Sequence, residues 1–278
     1  MTAPVVLKFG GELLEDSSRM DAVVSAIAEV SSAGMPLVIV HGGGKEIDAA
    51  LKTAGIEKRQ IEGLRITDPR TLDVVVSVLA GIVNTRLVGA LSGAGVAAVG
   101  LTGADGRIGL SDIAPPHRTV DGQAVELGRV GLPSQVSDTK LLRTLVNDGF
   151  VPVVSSIGVT SDGQLLNVNA DTMAGHLAAA LRARRLVIAG STPGVLDEDG
   201  KTVALLDPAA IERLVTGGTA TAGMIAKLRA CEEALAGGVD DVVIVDGKRG
   251  DALRASCHAA GPVPEASTLI VTIVGTQS

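Results

Sequence analysis

Seven short aliphatic runs, at residues 5–9, 37–40, 96–101, 151–157, 186–189, 242–245 and 269–274, alternate with longer stretches whose apolar residues recur at helical spacing. This alternation restricts the fold more than any other feature. Runs without polar alternation suit strands buried on both faces, which is the condition of a parallel sheet. The intervening segments have helical ends: residues 17–33 close on Gly34, and residues 71–92 are entered through Asp68 and Pro69. A β-α-β-α order implies an α/β fold, a three-layer α-β-α sandwich with a mainly parallel central sheet. Residues 107–130 break the rhythm with Gly, Pro and short β-prone pieces, so hairpins or flaps are expected there, and Thr160-Ser161-Asp162-Gly163 signals another hairpin.

A chain of 278 residues with 46% apolar content can bury one large core or two modest ones, which excludes disorder and a small disulfide scaffold. Two lobes are expected, residues 1–181 and 182–278, divided near Leu181 at the end of a helix read over about 171–183, beside the basic run Arg182, Arg184, Arg185. Aromatics are limited to Phe9 and Phe150, so the stacking platforms of single-strand binders are missing. The net charge of -7 comes without a long basic run, which further disfavours nucleic acid. Cys231 and Cys257 are too few for a disulfide framework and read as buried thiols of a cytoplasmic protein. No signal peptide is expected at the N-terminus, and every apolar run is broken by Gly, Thr or charge before it reaches bilayer-spanning length.

Standard phosphate motifs fail. Gly42-Gly43-Gly44-Lys45 resembles the end of a P-loop, but Glu46 replaces the Ser or Thr, and the first Gly of the frame is missing. Protein-kinase elements and a dinucleotide fingerprint are also absent from the sequence. What remains is a pair of glycine turns, Lys8-Phe9-Gly10-Gly11 and His41-Gly42-Gly43-Gly44, at the carboxyl ends of the first two strands. Backbone N–H groups in such turns can approach an anion, and a following helix N-terminus adds partial positive charge. Either turn alone also reads as a plain strand-to-helix connection. Lys8 favours the anion, because a lysine inside an apolar strand is costly without a negative partner.

Three further segments carry chemistry. Arg65, in Glu62-Gly63-Leu64-Arg65-Ile66-Thr67-Asp68, either forks onto a carboxylate or is a solvated loop arginine. Of Asn167, Asn169 and Asp171, one serves as a helix N-cap and the others need another reason. Lys227, in Gly223-Met224-Ile225-Ala226-Lys227 after the loop 217–221, would by itself read as a surface lysine.

Taken in order, K-x-G-G, H-G-G-G, G-L-R-x-T, N-x-N-A-D and G-M-x-x-K resemble the amino acid kinase family from Val5 to the C-terminus, and most closely its members acting on N-acetyl-L-glutamate. The resemblance implies transfer of the ATP γ-phosphoryl group to that substrate's side-chain carboxylate, a step of arginine biosynthesis. It implies that Lys8 and Lys227 contact the phosphates, that Asp171 orients both ammonium groups, and that Gly10, Gly11 and Gly44 hold phosphoryl oxygens. Gly43, Gly44, Arg65 and Asn167 would bind the substrate, and Ser191, Gly194, Thr219, Thr221, Gly223 and Met224 the nucleotide. Mg2+ would arrive with ATP, held by phosphates and water and by no carboxylate cage.

Ser191 stands where family members usually carry Asp, and Ala222 where Gly or Asp is common. The rivals are a kinase of carrier-bound α-aminoadipate and a non-catalytic amino-acid or nucleotide sensor on the same scaffold. By resemblance, the 71–92 helix pairs two subunits into a homodimer. With only Met1 to Pro4 before Val5, inhibition by arginine through an added N-terminal helix is not expected. No sequence mark indicates a PII-type regulatory partner.

Overall fold

The computed structural model describes residues 3–14, 17–119, 121–216, 222–258 and 263–272. Its centre is an eight-stranded sheet in the spatial order Leu205–Leu206, Thr268–Ile270, Val242–Asp246, Arg185–Gly190, Val5–Phe9, Leu37–His41, Val151–Ser155, Ala98–Thr102. Neighbours run parallel, with one exception. Thr268–Ile270 pairs antiparallel with Val242–Asp246, which corrects the expected parallel strand at 269–274. The expected strand 151–157 also divides at Ser156, after which Ile157–Val159 leaves for a second sheet.

Alternation along each strand sends successive side chains to opposite faces. Val5, Leu7, Phe9, Ile39, Val187, Ala189 and Val243 enter one apolar cluster, with Val23, Ile27, Val75, Leu79, Leu87 and Leu253 from the helices on that side. Val6, Val38, Val40, Leu186, Ile188 and Ile244 enter the other, with Met173, Leu177, Leu228 and Cys231. Helices therefore cover both faces, giving the three-layer α/β sandwich. Strand geometry also fixes the polar residues near the strand ends: Lys8 shares a face with Val6, and His41 shares the opposite face with Ile39.

Residues 69–93 form one continuous 25-residue helix, long and apolar enough by length and composition to cross a membrane. Asp73, Gly81 and Arg86 break it as an apolar run, so it does not contradict the expectation for unbroken segments. Leu72, Val75, Val78, Leu79, Val83, Leu87 and Leu91 of this helix are buried in the protein, and Asp68 caps its start by accepting from the Thr71 N–H at 2.8 Å. Its middle, Ser77–Val83, is a π-helical turn. The wider turn inserts a residue and rotates all that follows about the helix axis.

The segment 107–130 holds an antiparallel hairpin, His117–Arg118 with Ala124–Val125, and the strand Ser111–Ile113, which edges a smaller sheet ordered Ile157–Val159, Leu165–Val168, Val130–Pro133, Ser111–Ile113. The hairpin expected at residues 160–163 joins Ile157–Val159 to Leu165–Val168. Leu181, the expected lobe boundary, ends the helix Ala170–Leu181.

Candidate active site

The parallel strands place their carboxyl ends along one edge of the sheet, where ligands of open α/β sheets bind. A cleft of about 260 Å³ opens there, bounded by Lys8, Gly11, Gly43, Arg65, Asn167 and Asp171. The two glycine turns meet so closely that a Cβ on Gly11 would lie 2.7 Å from the Gly43 Cα and 3.2 Å from the Gly44 nitrogen. Only glycine fits at that approach. The helix Gly44–Thr53 starts at the cleft, so the N–H groups of its first turn and its dipole favour an anion there.

Lys8 lies on the sheet face covered by the helix Ala170–Leu181, and its Nζ sits 2.8 Å from the Asp171 Oδ1 in the first turn of that helix. Lys227, on the helix Ala222–Ala236, reaches the same oxygen at 3.4 Å. The two helices pack closely, since a Cβ on Gly175 would fall 2.5 Å from the Ala230 carbonyl oxygen. Burial pushes the Asp171 carboxyl upward, but the two ammonium charges outweigh it and hold the pKa below the ordinary Asp value. Burial and then the Lys8 charge pull the Lys227 ammonium below its ordinary value, with Asp171 opposing. One carboxylate thus holds two cations side by side at the mouth of an anion-binding turn.

The N-cap is Asn169, whose Oδ1 accepts from the N–H groups of Asp171 at 2.8 Å and Thr172 at 3.2 Å. Asn167 is left facing the cleft, where its Nδ2 donates to the Thr67 Oγ1 at 3.1 Å. Arg65 belongs to a short hairpin, Gln60–Ile61 with Leu64–Arg65, and not to an open loop. Glu62 and Gly63 turn that hairpin with φ of 46° and 80°, the two left-handed residues of a type I′ turn. Arg65 Nη2 donates to Asp48 Oδ1 at 2.5 Å, and Lys58 holds the other oxygen of Asp48 at 2.6 Å. Burial pushes Asp48 up, and Lys58 and Arg65 overcome that to hold it low. Arg65 Nη1 is buried beside the cleft without a hydrogen-bond partner.

Of the nucleotide residues expected from the sequence, Ser191, Gly194, Gly223 and Met224 do not line this cleft. Ser191 and Gly194 follow the strand Arg185–Gly190, with the Ser191 carbonyl accepting from Lys248 Nζ at 2.8 Å. Gly194 has a φ of +146°, and a Cβ there would stand 2.5 Å from the Thr268 hydroxyl. Gly223 and Met224 begin the helix that carries Lys227, while Thr219 and Thr221 lie outside the described residues. Sequence reasoning missed Asp48, Thr67 and Ser156. Thr67 was visible within G-L-R-x-T but had been given no role, and nothing in the sequence linked Asp48 to Arg65. Among the described residues no three His, Cys, Asp or Glu side chains converge to hold a metal ion.

A glycine-lined anion site beside two lysines on one aspartate, at the carboxyl edge of a parallel sheet, defines a phosphotransferase. The profile of the amino acid kinase family matches residues 3–246, and the chain belongs to that family. It is 40% identical to an acetylglutamate kinase of Oleidesulfovibrio alaskensis over 88% of this chain and 83% of the relative. The acetylglutamate kinase of Methylobacterium nodulans is 41% identical, with 88% and 81% covered. Among solved structures, a Streptococcus mutans protein superposes with a TM-score of 0.80 at 26% identity, over 98% of this chain and 99% of that one. Carbamate kinase of Giardia lamblia, at 15% identity and a TM-score of 0.67 over 98% and 99% of the two chains, shares the fold.

Proposed function

We propose that this chain is an acetylglutamate kinase, transferring the γ-phosphoryl group of ATP to the side-chain carboxylate of N-acetyl-L-glutamate. The observation that carries the substrate is Arg65. A buried guanidinium nitrogen without a partner, facing a cleft that ends on the phosphate turns, suits a second carboxylate at the far end of the acceptor. The relatives named for that activity support the same assignment.

The chemistry asks little of the protein beyond alignment and charge. A side-chain carboxylate with an ordinary pKa of about 4.3 is already ionised at neutral pH, so no general base is needed. One carboxylate oxygen forms a bond to the γ-phosphorus while the bond to the bridging oxygen breaks, and that electron pair leaves on ADP. No proton moves. Lys8 and Lys227 neutralise charge on the moving group from two sides, Asp171 holds them apart and in register, and the N–H groups of Gly11 and Gly44 receive the phosphoryl oxygens. Arg65 and Asn167 bind the amino-acid end of the substrate beside Gly43. Asp171 is occupied by two cations and the described residues form no carboxylate cluster, so Mg2+ is assigned to the triphosphate and water.

Residues 1–181 then serve acetylglutamate and subunit pairing, and residues 182–278 serve ATP. The free, buried thiols Cys231 and Cys257 fit a cytoplasmic enzyme. For pairing, the outward side of the helix Pro69–Gly93 is the surface of choice, with Ile82 58% exposed upon it. Ile82→Glu should convert a dimer to a monomer in sedimentation velocity without loss of helix content. A parent that sediments as a monomer contradicts the pairing.

ADP release measured over acetylglutamate, glutamate, aspartate, carbamate and UMP tests the activity, and turnover of any of the others in preference to acetylglutamate refutes it. Arg65→Ala should raise the KM for acetylglutamate about ten- to hundredfold, as expected for losing a charged hydrogen bond, while leaving the KM for ATP nearly unchanged. Equal effects on both substrates would move Arg65 out of the acceptor site.

A further inference from the structure

On the sheet face opposite Lys8, behind the second glycine turn, lies a polar group that the phosphoryl-transfer chemistry does not use. His41, the last residue of the strand Leu37–His41, is wholly buried, and Asn84 is 4% exposed. Asn84 is the first residue of the helical segment after the π turn, carried by the rotated part of the long helix to the end of the second strand. Its Nδ2 lies 3.0 Å from His41 Nε2 and 2.9 Å from the Val153 carbonyl oxygen. On the other side of the ring, His41 Nδ1 lies 3.1 Å from the carbonyl oxygen of Gly42.

These partners settle the proton's position. The carbonyls of Val153 and, at 3.4 Å, Leu101 can only accept, so the Asn84 amide must turn its NH2 toward them. One hydrogen goes to Val153, and the other is shared between His41 Nε2 at 3.0 Å and the more distant Leu101 oxygen. A donor aimed at Nε2 requires a bare nitrogen, which leaves the ring proton on Nδ1, facing a carbonyl that again can only accept. The opposite orientation of the amide would set two oxygens against each other. Room for the Asn84 oxygen comes from Gly100 on the edge strand Ala98–Thr102, where a Cβ would stand 2.2 Å from it. Burial, against a smaller opposing pull from the Gly42 carbonyl, lowers the His41 pKa to about 4, so the ring is neutral under ordinary conditions.

We propose that His41, held in its Nδ1-protonated form by Asn84, is a positioning residue that fixes the Gly42–Gly43 peptide so that the Gly43 N–H is presented to the cleft. The peptide unit is planar and trans, so its carbonyl and its N–H point in opposite directions. Anchoring the Gly42 oxygen on the buried imidazole turns the Gly43 N–H away from the core, toward the cleft that Gly42 and Gly43 line. Gly42 and Gly43 lack side chains that could restrain this peptide, and the imidazole supplies the restraint from behind. The inference rests on the phosphoryl-transfer reading for its consequence, but the tautomer and its anchoring stand independently of the substrate.

The test has two arms. In the full-length protein, a long-range proton–nitrogen correlation spectrum should show His41 with Nδ1 protonated and Nε2 bare between about pH 6 and 8, the interval in which a free histidine titrates. Asn84→Ala should abolish that preference. In steady-state kinetics His41→Ala should lower kcat by roughly 10²-fold, the scale of a small misplacement of a reacting group, with KM for ATP little changed. His41→Asn, whose amide N–H can replace Nδ1–H, should recover most of the loss. A parent spectrum with Nε2 protonated overturns the proposal even if no variant folds. So does an equal loss of kcat in the Ala and Asn variants, or an unchanged kcat in a destabilised Ala variant. Parent protein that shows the expected tautomer but turns over no acetylglutamate refutes the functional reading instead.

Discussion

Lys8→Met should lower kcat by about 10²–10³-fold, a loss of about 2.7–4 kcal/mol of transition-state stabilisation, the usual effect of removing one preorganised donor. The substitution keeps the length and apolar stem that the strand Val5–Phe9 packs into the core and deletes the charge at the cleft. Asp171 is not stranded by it, because Lys227 remains 3.4 Å away. The fold should therefore survive, and circular dichroism on the same sample separates a lost catalyst from a lost structure. Because negative charge develops on the bridging oxygen only as its bond to the γ-phosphorus breaks, KM for acetylglutamate should move far less than kcat. Lys227→Met should behave alike, from the opposite side of the phosphates. An unchanged kcat in either variant removes that lysine from the mechanism.

Asp171→Asn is expected to be comparably severe and to leave a signature in pH. Both lysines contact the same carboxylate oxygen, so its replacement by a neutral amide sets two ammonium groups against each other without a counter-charge. The Lys227 pKa is already below its ordinary value, and Asp171 is the charge that opposes this fall. Removing it lowers that pKa further, so the alkaline limb of the kcat profile should move to lower pH. The stability effect has the opposite reach. The folded pKa of Asp171 lies below its unfolded value of about 3.9, so the stabilisation is complete above that pH and is lost as pH falls through the lower folded value. The Asn variant should melt lower at neutral pH yet lose less further stability on acidification. Superimposable pH–rate limbs in parent and variant would show that Asp171 does not govern Lys227.

The strands were legible because burial on both faces leaves them few polar residues, and one of those few, Lys8, was the strongest single clue to the site. The glycine turns were legible for the same reason that they work, since two backbones meet there with no space for a side chain. Less accessible was whatever depends on residues distant in sequence and ordinary in type. Asp48 looks like any surface acid until the hairpin at 60–65 brings Arg65 and Lys58 onto it. Asn84 sits in an apolar helix, and only a π turn that no propensity announces carries it to His41. The reversed direction of Thr268–Ile270 was hidden because a fully buried strand shows the same composition whichever way it runs.

The position of the first strand has a consequence for how the chain is made. Val5–Phe9 lies in the middle of the sheet, bonded on one side to Leu37–His41 and on the other to Arg185–Gly190. Its first partner emerges from the ribosome soon after it, but Val5 and Arg185 are separated by some 180 positions. At about 5–20 residues per second, that flank stays open for roughly 10–40 seconds of synthesis. Throughout that interval a largely apolar strand presents a bare edge, the form most prone to pairing with a neighbouring chain. Translation speed across the second third of the message, and chaperone occupancy during it, should therefore govern yield more than the stability of the finished protein.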